Sequence, residues 1–202
     1  MAYCGKVNKA VVASLRAARV DAIGLSGLDA GIWRGQRKGA IRSVVDGRTF
    51  VVRDDLSGRV ESVDAAFIET LLAAGKTPVL TPPAVTPDGV AINVDADRAA
   101  AATAAALSAG ELLLLSNVPG VLRDPDDPSS LIHRVDSSSL RTARMAARGR
   151  MANKVQAAEE AVLGGVRRVV IASGVGPDAI GEARAGRGTV FTAEREPQRS
   201  HP

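Results

Sequence analysis

Leu112-Leu113-Leu114-Leu115-Ser116-Asn117-Val118-Pro119-Gly120-Val121-Leu122 decides the fold. Four consecutive leucines between Gly110 and a polar turn form a short, continuous apolar run. Such a run fits a strand of a parallel sheet buried on both faces. In open α/β sheets ligands bind just beyond the carboxyl ends of these strands. Here that place is taken by Ser116, Asn117 and Gly120, with Pro119 stiffening the turn. Two readings stay open at this point, an ordinary strand exit and a ligand-facing turn.

Outward from this run, strands alternate with helices. A helix is read over 5–19, a strand over 21–25, a hairpin over 41–45 and 49–52 around Asp46-Gly47-Arg48, and an extended piece over 59–63. Asp64 caps a helix that ends near Gly75, and 77–81 is a strand. A short extended piece over 90–92 precedes an Ala-rich helix over 97–108. Helices over 138–147 and 151–163, a strand over 167–172, a small helix from Asp178 and a strand over 188–191 complete the pattern. Residues 193–202 read as an unstructured tail. The alternation argues for α/β with a mainly parallel sheet.

Aromatic residues are only 2% of the chain, so the core is Ala, Val, Leu and Ile. The net charge of +4 is too small to imply a nucleic-acid partner, and no aromatics interleave with the basic residues. A lone Cys4 excludes an internal disulfide framework and fits a reducing cytoplasm. His133 and His201 have no ligand partners at metal spacing, so no protein-built metal site is expected. No apolar run is long enough to span a membrane.

Gly75-Lys76-Thr77 imitates the end of a P-loop, but position 70 is Thr and the helix–strand order is reversed. Asn93-Val94-Asp95-Ala96-Asp97 places an amide and two carboxylates at a helix start. Capping explains one carboxylate and leaves the other open. Gly149-Arg150-Met151-Ala152-Asn153-Lys154 sets one of only five lysines, against twenty-one arginines, in the first turns of a helix. The helix dipole disfavours a cation there. Phosphate binding at the helix N-terminus and a solvated basic face both account for it.

These segments together resemble the amino-acid kinase family, in its acetylglutamate kinase branch. The resemblance rests on Gly5-Lys6-Val7-Asn8-Lys9, Ile23-Gly24-Leu25-Ser26-Gly27-Leu28-Asp29, Ala91-Ile92-Asn93-Val94-Asp95-Ala96-Asp97, Ser116 to Leu122, and Gly149 to Val155. Within that branch Tyr3-Cys4-Gly5, Arg37-Lys38, Asp54-Asp55-Leu56-Ser57-Gly58 and Asn117 resemble the members that phosphorylate aminoadipate held on a carrier protein for lysine biosynthesis.

The resemblance implies a three-layer α/β/α domain over 1–192, with the nucleotide-binding part at 95–192. It implies ATP with Mg²⁺ as cofactor, a side-chain carboxylate as acceptor, a homodimer and a cytoplasmic place. Lys154 then stabilises the transferred phosphoryl group, Asp97 orients the catalytic lysines, and Asn93 binds substrate. Ser116, Asn117, Gly120, Val121, Leu122 and Met151 hold the nucleotide. Arg34, Arg37 and Lys38 meet the acidic carrier, or serve only as a solvated face. Acetylglutamate kinase of arginine biosynthesis and a non-catalytic subunit of the same fold are the alternatives. The family's Lys-x-Gly-Gly and His-Gly-Gly turns and its substrate-gripping arginine segment are not in the sequence, so the resemblance implies a domain without its N-terminal segment.

Overall fold

The computed structural model describes residues 2–39, 41–45, 48–52 and 55–193, the two short segments as backbone only. They form two compact units, 1–99 and 100–202. The Asp46-Gly47 turn and the segment 194–202 lie outside the described residues.

The first unit begins with a π-helical stretch, Ala2–Val7, that runs into α1 (Asn8–Ala17) with no capping side chain. α1 packs on a parallel pair, β1 (Ala22–Ser26), and a later strand at Thr77–Thr81. The contact is tight because Gly24 has no side chain: a Cβ there would collide with Asn8. Asn8 is only 2% exposed. Its amide donates to the carbonyls of Val79 at 2.8 Å and Leu25 at 3.3 Å, stitching both strands to the helix.

β2 (Trp33–Arg37) follows, then β3 (Ile41–Val45) and β4 (Arg48–Val52), paired antiparallel as the hairpin reading expects. β5 (Gly58–Val63) pairs antiparallel with β2. α2 (Ala65–Ala73) is capped by Asp64, whose carboxylate accepts from the Phe67 N–H at 3.0 Å. The strand at Thr77–Thr81 is β6, and it is followed by a cis Pro82-Pro83 bond. β7 (Ala84–Val85) and β8 (Ala91–Ile92) complete a sheet in the order β5-β2-β7-β8. A parallel bridge between Ser57 and Asn93 joins the two ends of that order, so the sheet closes on itself around the fully buried Ile92.

The sequence reading passed over β2. Trp-Arg-Gly-Gln-Arg has no apolar alternation, and its pairing comes from distant residues: the buried Trp33 seals against Gly27, and the ladder to β5 carries a bulge at Arg34/Gly35.

In the second unit α3 (Ala96–Ala106), which begins in the first, leads to β9 (Glu111–Ser116). β10 (Arg134–Val135), α4 (Leu140–Ala146), α5 (Arg150–Leu163), β11 (Arg168–Ser173), α6 (Ala179–Arg184) and β12 (Thr189–Phe191) follow. The sheet order is β10-β12-β11-β9, with only the β11–β12 pair antiparallel. Side chains alternate across it. Val169 and Ile171 join the core formed with Val155, Ala158 and Ala161 of α5. Val170 and Ala172 face Ala183 of α6. This unit therefore has helices on both faces of a mainly parallel sheet, as expected. β9 itself is an edge strand in which only Leu114 is buried and Leu115 is exposed, so the leucine run is not buried on both faces as its sequence suggested. Small residues on α3 and α5 let helices approach closely, which suits a core nearly free of aromatics. No helix among the described residues is long and apolar enough to cross a membrane.

Candidate functional site

The expected site residues are divided between the two units. In the first unit Asn93 leaves β8 directly after the buried Ile92. Its backbone N–H donates to the Leu56 carbonyl and its carbonyl accepts from the Gly58 N–H, both at 2.7 Å. The backbone is thus held on both sides while the residue stays exposed. Two residues on, the Asp95 carboxylate accepts from the Arg98 N–H at 3.0 Å and caps α3. Capping therefore accounts for Asp95. Asp97 stands half-buried in the first turn of α3, where the dipole favours a carboxylate.

Arg34, Arg37 and Lys38 are all exposed on β2 and its exit. The Arg34 side chain passes over Gly31, its Nε 3.3 Å from where a Cβ would sit. Arg37 Nη2 donates to the Asp55 carbonyl at 3.1 Å, and the Lys38 N–H donates to the Ser57 carbonyl at 2.8 Å. Hydrogen bonds from Ser57 hold the Asp55 carboxyl below its usual range, with the charges of Lys38 and Arg37 adding to the effect. The P-loop imitation is resolved as well: Lys76 pairs with Asp21 at 2.5 Å at the start of the β1–β6 pair.

In the second unit β9 and β11 end together. Ser116 is in register with Ser173, and the Gly174 N–H donates to the Ser116 carbonyl at 2.6 Å. The Ser116 hydroxyl donates to Asn117 Oδ1 at 3.4 Å, and Asn117 is exposed. The rest of the turn folds inward. A side chain on Gly120 would meet Thr189 Oγ1 at 2.7 Å and Leu131 at 2.8 Å. Val121 is fully buried, its N–H donating to Thr189 Oγ1 at 2.8 Å, and Leu122 bridges to Leu131. Ser116 and Asn117 therefore present polar groups, and Gly120, Val121 and Leu122 fix the loop that carries them.

α5 starts at Gly149, whose φ of 53° and ψ of −127° suit only glycine. No side chain caps this helix and no acidic residue stands in its first turn. Met151 is half-buried against the core cluster that includes Val121. Lys154, also half-buried, lies one turn further along the same helix. A positive helix end, Arg150 and Lys154 together make an anion-attracting region.

The sequence reading missed a cleft of about 630 Å³ at the same carboxyl edge, lined by Pro119, Leu131, His133, Ser173, Asp178 and Arg187 among others. Its lining comes from four stretches, around 119, 131–133, 173–182 and 186–188, with no motif spacing, so only the strand ends that converge there reveal it. Among the described residues no three His, Cys, Asp or Glu side chains converge as a metal cage.

The amino acid kinase family pattern matches residues 1–173. The chain belongs to the amino acid kinase family. It is 52% identical over 192 residues to a [LysW]-aminoadipate kinase of Deinococcus radiodurans, covering 95% of this chain and 66% of that one. It is 43% identical over 176 residues to an acetylglutamate kinase of Methanopyrus kandleri, covering 85% and 68%. Its fold matches N-acetylglutamate synthase of Neisseria gonorrhoeae with a TM-score of 0.77 at 24% identity, over 96% of this chain and 43% of that one. The chain thus spans about two thirds of the length of the curated relatives it matches.

Proposed function

We propose that this chain belongs to an ATP-dependent kinase that phosphorylates the side-chain carboxylate of aminoadipate carried on an acidic protein. The similarity to the Deinococcus enzyme, greater than that to the acetylglutamate kinase and extending over nearly the whole chain, carries this reading. The exposed Arg34, Arg37 and Lys38 support it, because exposed cations steer an acidic partner into contact.

The chemistry asks little of a base. The acceptor is a carboxylate, already ionised at neutral pH. One of its oxygens bonds to the γ-phosphorus while the bond from that phosphorus to the bridging oxygen breaks, and ADP leaves with the electron pair. The product is an acyl phosphate. The protein's task is positioning and charge stabilisation. In this reading Lys154 and the start of α5 stabilise the phosphoryl group in flight. Asp97 supplies an orienting carboxylate, and Asn93 holds the carried substrate. Ser116 and Asn117 offer polar contacts to the nucleotide, and Met151 with the Gly120–Leu122 loop shapes its seat. Mg²⁺ supplies charge neutralisation when bound. It would come with the nucleotide, on the phosphates of ATP.

The reading places the protein in the cytoplasm as a homodimer. The test uses protein purified from its own cells, with ATP, Mg²⁺ and hydroxylamine to trap the acyl phosphate as a hydroxamate. Hydroxamate from carrier-linked aminoadipate is expected. Hydroxamate only from free N-acetylglutamate would replace this reading with acetylglutamate kinase.

A further inference from the structure

Three stretches of the first unit meet at the turn 55–58. β2 ends against it: Arg37 pairs with Gly58 in the antiparallel register, and its guanidinium donates to the Asp55 carbonyl at 3.1 Å. The next residue, Lys38, places its N–H on the Ser57 carbonyl at 2.8 Å. From the other side Asn93 brackets the turn with its bonds to Leu56 and Gly58. Inside the turn the Asp55 carboxylate accepts from the Ser57 N–H at 2.5 Å. Beneath it the buried Ile92 leaves no room to slide, since its Cδ1 lies 2.5 Å from where a Gly58 Cβ would stand. The exposed cations and the backbone of Asn93 therefore share one small, internally braced support.

We propose that the turn 55–58 is a positioning device that couples Arg37 and Lys38 to Asn93, so that an acidic carrier docking on the cations fixes the residue that holds the carried substrate. This rests on the carrier reading above. Asp55 and Ser57 touch neither substrate nor nucleotide in this account. They act by keeping the turn closed. Opening the turn releases both Asn93 backbone bonds together, and such local openings are the ones hydrogen exchange reports. Docking that holds Arg37 and Lys38 suppresses the opening. By linkage, engagement of substrate at Asn93 strengthens docking by the same factor.

The test is amide hydrogen exchange at Asn93 and Gly58 in the whole chain, with and without the acidic carrier protein bearing aminoadipate. Asp55→Ala removes the acceptor of the Ser57 N–H and is expected to speed exchange at both amides about tenfold. Asp55→Asn keeps an oxygen in the same place and is expected to restore protection to within about twofold of wild type. The β1–β6 amides, unchanged in both variants, show that the fold is intact. Added carrier is expected to slow exchange at Asn93 in wild type and Asp55→Asn, and not in Asp55→Ala. Unchanged exchange at Asn93 in Asp55→Ala overturns the proposal. So does a carrier that protects residues 34–38 of wild type and leaves Asn93 unaffected, while the carrier reading itself survives. A carrier that alters neither region overturns the carrier reading, and this inference with it.

Discussion

Asp136 shows how much one side chain can do before any chemistry is considered. Its carboxylate accepts from the hydroxyls of Ser138, at 2.6 Å, and Ser139, at 2.8 Å, and from their N–H groups, fastening the chain ahead of α4. Those bonds, led by Ser138, lower its pKa from 3.8 to about 2. A depressed carboxyl contributes stability that is present above the unfolded value and disappears as pH falls through the folded one. Asp136→Asn should therefore be less stable than wild type at neutral pH, and the gap should close between pH about 4 and about 2. Denaturation midpoints across that range check it. Lys154 is the opposite kind of residue, since its expected value lies in the reaction. Lys154→Ala should lower kcat by roughly 10²–10³, as removal of other preorganised donors does, with the melting temperature nearly unchanged. Steady-state kinetics beside a thermal melt separate the two effects.

Among the elements, α3 holds the sharpest contrast. Asp95 caps it and Asp97 does not share that bond. Asp95→Ala should cost about 1 kcal/mol by urea denaturation, as loss of a cap does. Asp97→Asn should cost less stability and more turnover, and a reversal of that order would exchange the two roles. This contrast was half legible in the sequence: Asn-Val-Asp-Ala-Asp announced a capped helix with one carboxylate to spare, without saying which. The leucine strand and the Ala-rich and Gly149-led helices were legible because their pattern is local. β2 was not, because its pairing depends on Trp33 sealing over Gly27 and on a bulge against β5. The inward fold of Val121 was hidden for the same reason: its partner, Thr189, is 68 residues away. The cleft beside His133 has no local signature at all, since it exists only where strand ends from separate stretches meet.

For the molecule as a whole, residues 1–99 and 100–202 form two compact units. The residues proposed for substrate and carrier lie in the first, those proposed for the nucleotide in the second. ATP at a hundredfold excess over its Kd should stabilise the protein by about 2.7 kcal/mol, read as a shift in thermal midpoint. The accompanying protection should concentrate in β9, β11 and the start of α5. The family is settled by the pattern over residues 1–173 and by the sequence relatives, whereas the acceptor is a proposal that rests on the similarity to the Deinococcus enzyme and on the roles proposed for the cationic exit of β2 and Asn93. Comparing kcat/KM for carrier-linked aminoadipate with that for free N-acetylglutamate, in native protein with saturating ATP, tests that choice most directly. The account predicts a strong preference for the carrier-linked substrate, weakened when Arg37 and Lys38 are neutralised together. Equal or better use of free N-acetylglutamate, unaffected by that change, would contradict it.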